Sequence, residues 1–214
     1  MTASYPINLN LADAPVLVVG GGPVAARKIA GLLSAGAQVT VVAPAAVPEI
    51  SDNSHLRWFS RRYRRGEVAS YRLAFTATGI SDVDRQVAID GDRSGIWVNS
   101  ADDPDNCTFT LPAVARQGDL NVAISTSGRS PALASWLRRR YQKEISSGYE
   151  EALDLLADLR DQVRNGFGSS ESAGWSTALD AGLIDLLREG RTADATALLQ
   201  DHLDLSDRPT ETVR

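Results

Sequence analysis

The sequence is poor in the residues that build metal centres and cross-links. Its 214 residues include one cysteine, Cys107, and two histidines, His55 and His202. A single thiol excludes an internal disulfide framework and a thiolate-rich zinc or iron–sulfur site. The two histidines lie far apart in sequence and are expected on the surface, which argues against a His-rich metal centre. No apolar run approaches the roughly 20 residues that span a bilayer. The opening Met-Thr-Ala-Ser-Tyr-Pro lacks the basic-then-apolar order of a secretory leader. A cationic excess is also missing. Lys and Arg total 22 against 27 Asp and Glu, a net charge of −5, unlike a dedicated nucleic-acid binder. What remains is an ordinary globular composition, 43% hydrophobic and 23% charged. These absences predict a soluble cytoplasmic protein with neither nucleic acid nor membrane as partner, and the chain shows no internal repeat.

Residues 15–19, Pro-Val-Leu-Val-Val, form a β-branched apolar run that stops at Gly20-Gly21-Gly22 and predict a buried strand. Over 24–36, Ala25, Ile29, Leu32 and Leu33 recur at helical spacing up to Gly36. Residues 38–42 predict a second strand, which gives a βαβ unit with a right-handed crossover. Strands over 56–60, 72–77 and 96–99 and a helix over 81–90 continue the alternation. The pattern is that of an α/β, doubly wound parallel sheet. A second region begins near Pro112. A half-buried strand is expected over 119–125, with the stretch holding Phe109 and Leu111 as its partner, then a helix over 131–145 that starts at a proline. Beyond Gly148 the spacing predicts helices with apolar stripes at Leu153, Leu156, Leu159 and Val163, at Leu179, Leu183, Leu186 and Leu187, and at Ala195, Leu198 and Leu199. A loop is expected at 166–170 and a frayed tail over the last ten residues.

Gly20-Gly21-Gly22-Pro23-Val24-Ala25 fits G-x-G-x-x-A between a strand and a helix. Glycine allows the tight turn and lets a pyrophosphate approach the backbone, while the helix N-terminus offers free N–H groups and a positive dipole end. The alternative is a structural turn. The acid that would hold an adenine ribose at the end of the second strand is absent. That strand ends Ala43-Pro44-Ala45, Glu49 is the nearest acid downstream, and no Arg follows directly to mark a 2′-phosphate site. Sequence physics therefore leaves NAD against NADP open.

The stretch from Val18 to Lys28, Val-Val-Gly-Gly-Gly-Pro-Val-Ala-Ala-Arg-Lys, resembles the start of precorrin-2 dehydrogenases, the dehydrogenase/ferrochelatase module of siroheme synthases. Similar matches follow in the family's order: Tyr-Pro-Ile-Asn-Leu at 5–9, Ala77-Thr78, Val98-Asn99 through Asp102, Cys107 through Phe109 with Pro112, and Ser125 through Ala134. The resemblance implies a Rossmann-type NAD-binding domain at 1–112, a small α+β dimerisation region at 113–148 and a helical C-terminal domain at 149–214. It implies a homodimer that oxidises precorrin-2 to sirohydrochlorin with NAD as hydride acceptor, with Fe2+ insertion as a further activity of some members. The pathway served would be siroheme or cobalamin formation. The bifunctional synthases carry a further methyltransferase domain, for which this chain is too short. Gly79-Ile80 stand where the family usually has acids, Asp84 where it usually has Asn, and Ser127 where it commonly has Gly.

Asp102 is the main catalytic candidate. It follows the fifth strand, at the sheet edge where ligands of such folds bind, and it matches the family's functional Asp. A carboxylate there serves as a base for the proton that leaves with the hydride, or as a transient oxygen ligand for Fe2+. The competing reading is a turn carboxylate in Asp102-Asp103-Pro104-Asp105, with Asp103 and Asp105 weaker candidates. Gly20, Gly21, Gly22, Pro23 and Val24, together with Ala43, Pro44 and Ala45, are the expected cofactor contacts. Thr78 and Asn99 join them; for Asn99 the alternative is satisfying backbone groups at its strand end. Cys107 reads as a small packed residue. Ser125, Thr126, Gly128, Arg129 and Ser130 form a hydroxyl-rich loop before a helix, suited to the carboxylates of a tetrapyrrole, and Thr126 aligns with a family Ser that can be phosphorylated. The alternative there is a helix cap by Ser130. Arg138-Arg139-Arg140 and the run Arg57, Arg61, Arg62, Arg64 and Arg65 are further cations, the second run more simply read as a solvated face. Two other readings stay open: a non-catalytic NAD- or tetrapyrrole-binding protein, and an unrelated Rossmann oxidoreductase. For the latter, neither a catalytic His nor a Tyr-x-x-x-Lys pair is evident.

Overall fold

The structure, a computed structural model, describes residues 4–101, 103–145, 147–167 and 172–205. The chain divides into two compact units, Met1–Leu111 and Pro112–Arg214.

In the first unit, β1 (Pro15–Val19), β2 (Gln38–Ala43), β3 (Arg57–Ser60), β4 (Leu73–Thr76) and β5 (Trp97–Ser100) form one sheet in the order β3-β2-β1-β4-β5. Every pairing is parallel, with Val16 opposite Val39 and Leu73, and Thr76 opposite Ser100. This is the doubly wound order, with its topological switch between β1 and β4. The period of two sends Val16, Val18, Val39, Val41, Leu73 and Phe75 to one face, where Ala25, Ile29 and Leu32 of α1 (Pro23–Ser34) cover them. Leu17, Val19, Val42, Ala74 and Val98 go to the other, under Val87 of α3 (Ser81–Ser94). A central strand buried on both faces reads as a continuous apolar run, as β1 does. A short helix, α2 (Pro48–Ser51), follows β2.

A buried carboxylate ties the β3–β4 connection to α3. Asp90 is 3% exposed. It accepts hydrogen bonds from the Gly66 N–H (2.7 Å), the Tyr63 hydroxyl (3.1 Å) and the Gln86 amide (2.8 Å). Burial opposes its ionisation, but those three donors and the nearby Arg65 outweigh it and hold the carboxyl below its ordinary value. Burial, then the bond to Asp90, pushes the Tyr63 hydroxyl up, so it stays a donor.

The second unit starts with an antiparallel hairpin of β6 (Ala113–Gln117) and β7 (Leu120–Ile124). The expected partner of β7, the stretch with Phe109 and Leu111, is not a strand. Phe109 packs edge-on against Phe75 in the first unit at 5.6 Å, and Leu111 is exposed. The helix α4 (Pro131–Glu144) lies against the hairpin, and Gln142 donates to the Arg116 carbonyl (2.8 Å) and accepts from its N–H (3.1 Å).

The helices α5 (Tyr149–Phe167), α6 (Gly174–Asp180), α7 (Leu183–Arg188) and α8 (Thr192–His202) close around Ala152, Leu159, Ala178, Leu183, Leu187, Ala195 and Leu199. Three expectations change here. The loop expected from 166 begins later, since α5 runs through Gly166 and Phe167, and residues 168–170 lie outside the described residues. Leu153 and Leu179 face outward because the residues just before them, Ala152 and Ala178, fill the seam and let the helices approach closely. The second stripe is broken by Gly182, whose φ of +100° lies between α6 and α7, so Leu179 and Leu183 belong to different helices. Of the expected tail, only Leu205 is within the described residues. No described helix is long and apolar enough to cross a membrane.

Replacing Asp90 by Ala leaves the Gly66 N–H and Tyr63 hydroxyl unmatched and is expected to cost about 1–3 kcal/mol at neutral pH. Because the folded pKa is depressed, the wild-type advantage is full above the unfolded carboxyl value, about pH 4, and is lost as pH falls through the lower folded value. Urea denaturation of both proteins across that range checks it.

Candidate dinucleotide site

The C-terminal ends of β1, β2 and β4 meet at the switch point. The Gly20 N–H donates to the Val42 carbonyl (3.0 Å), and the Val47 N–H to the Gly21 carbonyl (2.9 Å), so the glycine loop is stitched to both ends of the turn after β2. Gly20 has a φ of +124°, and a Cβ there would collide with the Ala77 carbonyl group. A Cβ on Gly21 would strike the Ala45 carbonyl and come to 2.9 Å from the Ala46 Cα. Both glycines are therefore required by the loop itself. Gly22 differs, since a Cβ there would meet nothing within 4 Å. It caps α1, whose first turn holds Pro23, and its carbonyl accepts from Ala26 at 3.0 Å. The Val24 N–H thus precedes the helix's first internal bond and has no acceptor within the helix, and the open space at Gly22 is what an approaching pyrophosphate needs.

At the end of β2, the Trp58 indole donates to the Ala43 carbonyl (3.1 Å) and the Ser60 hydroxyl to the Pro44 carbonyl (3.0 Å). Ala45 backs onto Gly21. No carboxylate stands at this strand end, as the sequence indicated.

Thr78 lies on the loop after β4. Its hydroxyl donates to Asp84 (2.7 Å) and accepts from the Ile80 N–H (3.0 Å). Asn99, 6% exposed, accepts from the Lys28 ammonium (2.9 Å) and donates to the Phe109 carbonyl (3.0 Å), with Lys28 lying over the Phe75 ring. Sequence reasoning assigned no role to Lys28, although its spacing from the glycine loop puts it on the second turn of α1, within reach of β5. Beside Asn99, the hydroxyl of Ser100 is the one buried side-chain polar atom among the described residues without a hydrogen-bond partner.

Asp102 lies outside the described residues. Asp103 caps the turn that follows, accepting from the Asp105 N–H (3.0 Å) and the Asn106 amide (2.9 Å). The Cys107 thiol closes the same segment, accepting from the Ser100 N–H (3.1 Å) and donating to the Ser100 carbonyl (3.2 Å). Arg61 forms a two-point pair with Glu67 (2.6 and 3.0 Å), while Arg62, Arg64 and Arg65 are exposed. His55 is exposed and His202 half-buried. Among the described residues no group of three His, Cys, Asp or Glu side chains could hold a metal ion.

In the second unit, the Ser125 hydroxyl accepts from the Ser127 N–H (3.2 Å), Thr126 from Ser130 (3.1 Å) and Ser130 from Leu133 (3.2 Å). Each hydroxyl oxygen is bound by a backbone donor, which leaves its own hydrogen to donate. The loop turns through Ser127 and Gly128, at φ +51° and +76°, and Arg129 is exposed beside them.

Residues 7–113 match a family described as "Putative NAD(P)-binding". The chain belongs to this family. Residues 117–140 match a second, described as "Sirohaem biosynthesis protein central". Siroheme synthase of Methylococcus capsulatus is 38% identical over 208 residues, which are 95% of this chain and 44% of that protein. The Chromobacterium violaceum siroheme synthase is 35% identical over 93% of this chain and 43% of its own length. The chain thus spans less than half the length of the curated relatives it matches. A solved structure titled "SirC, precorrin-2 dehydrogenase" superposes with a TM-score of 0.72 at 26% identity, over 92% of this chain and 100% of that one. For an NAD(P)-binding family member, the open space at Gly22 and the free first turn of α1 fit the cofactor's pyrophosphate.

Two neighbouring substitutions should part company. Gly21→Ala is expected to lower the melting temperature sharply because the backbone of Ala45 and Ala46 cannot yield. Gly22→Ala is expected to fold with a melting temperature near wild type and to bind NAD about tenfold or more weakly, ~1.4 kcal/mol. Calorimetry for stability and titration for affinity separate the two.

Proposed function

We propose that this chain is an NAD-dependent precorrin-2 dehydrogenase, giving sirohydrochlorin on the route to siroheme. The likeness to SirC carries the reading, because it extends over both units and over the whole of that protein. The glycine loop at the switch point and the two family matches support it. Bound NAD supplies the hydride acceptor. The N–H groups at the start of α1 hold its pyrophosphate, with Gly20 to Val24 and Ala43 to Ala45 as the walls around it and Thr78 and Asn99 shaping the far side. Asp102 takes the proton that the macrocycle loses with the hydride. The hydroxyls of Ser125, Thr126 and Ser130, the Gly128 turn and Arg129 bind acetate and propionate groups, where donors without competing acceptors favour carboxylates.

The same reading makes the protein a cytoplasmic homodimer. Leu133, Trp136 and Tyr141 on α4, each more than two-fifths exposed, support an apolar contact there. Fe2+ is proposed as a second substrate, inserted into sirohydrochlorin with Asp102 as a transient ligand.

Anaerobic incubation with precorrin-2 and NAD is expected to yield NADH together with the sirohydrochlorin spectrum. Asp102→Ala is expected to bind NAD normally and to lose turnover by about 10²–10⁴-fold, the usual contribution of a positioned base. Adding Fe2+ afterwards reads insertion directly. Tight NAD binding without turnover in the wild type would overturn the enzyme reading in favour of a binding protein.

A further inference from the structure

Asp84 sits in the first turn of α3 and is 6% exposed. One of its oxygens, Oδ1, accepts from three donors: the Thr76 hydroxyl, the Thr78 hydroxyl (2.7 Å) and the Thr78 N–H (3.3 Å). Thr76 is fully buried at the end of β4. The carboxylate therefore grips the chain on both sides of Ala77, just where it leaves the sheet.

Ala77 is the residue that faces the glycine loop. Its N–H donates to the Val19 carbonyl (2.8 Å), and its own carbonyl lies where a Cβ of Gly20 would be. The contacts run without a gap from α3 through Asp84, Thr76 and Thr78 to Ala77, and from there to Gly20. Charge-assisted bonds to one buried carboxylate oxygen are the strong kind, and they fix the direction of the groups that donate them.

The fold does not need this grip to hold α3. Val87 packs that helix onto Leu17, Ala74 and Val98, and Asp90 secures it to the Gly66 turn. What Asp84 adds is control of the loop over 77–80, the wall that faces the glycine loop across the switch point.

We infer that Asp84 is a positioning residue for the dinucleotide, acting through Thr76 and Thr78 to hold the 77–80 wall against Gly20 so that the opening at Gly22 keeps its width. Asp84 is buried and acts through the two threonines it holds. The inference rests on the dinucleotide reading above.

The test compares NAD affinity, by titration calorimetry, for the wild type, Asp84→Ala, Asp84→Asn, Thr76→Val and Asp90→Ala, at a temperature where every variant is folded. Asp84→Ala and Thr76→Val are expected to bind NAD about tenfold more weakly, the scale of effect when a remote change shifts a binding wall. Asp84→Asn keeps an acceptor oxygen and is expected to recover most of the affinity. Asp90→Ala is expected to melt earlier yet bind NAD as the wild type does, which separates positioning from general stability. If Asp84→Ala does not fold, Thr76→Val decides, since its side chain is buried and nearly isosteric. Wild-type protein that binds no NAD overturns the dinucleotide reading and this inference with it. Wild-type protein that binds NAD, with Asp84→Ala or Thr76→Val binding equally well, overturns the inference alone.

Discussion

The architecture of the first unit depends on one close approach of backbone to backbone. At the switch point, the glycine loop after β1 and the chain leaving β4 come together with no room for a Cβ at Gly20. Parallel strands set the ends of β1 and β4 side by side, but they do not bring their loops into contact. That contact requires a residue free to take φ +124° and a carbonyl that stays where it is. Gly21 makes a second such approach to the turn after β2. The opening at Gly22 exists because its two predecessors are used up in packing and it is not.

Polar bonds in this unit are concentrated on connections, while the apolar clusters hold the layers. Asp84 serves the loop after β4, Asp90 the loop before it, and Asn99 with Lys28 and Phe109 the segment after β5. Each is a buried group with several partners, which is how a charge or amide becomes tolerable inside a protein. The connections on both sides of β4 and the segment after β5 are thereby each tied down by specific bonds.

Much of this was legible in the sequence. The unit β1–α1–β2 followed from an apolar β-branched run, three glycines and a helical spacing, because each signal is local and all agree. Cys107 read as a packed residue; it is half-buried, and its thiol is bonded to both the N–H and the carbonyl of Ser100 across the turn. The strand β6 was missed because Ala113, Val114, Ala115, Arg116 and Gln117 do not alternate large apolar with polar residues, and its stability comes from pairing with β7 and from α4. Leu153 and Leu179 were misplaced because leucine outweighs alanine in a stripe, although alanine is what a tight helix seam selects. The bonds of Asp84 and of Lys28 join residues that only the sheet topology brings together, so no spacing announces them.

The pair of bonds between Gln142 and Arg116 has a consequence for assembly. A side-chain amide that donates to a strand carbonyl and accepts from the same residue's N–H does what an adjoining strand would do. On that side, β6 is already occupied at its middle by a piece of its own helix, and a foreign strand would have to evict it before it could add to the ribbon. Addition of a strand along the β6 edge is thus opposed at Arg116 by a single glutamine of the chain itself.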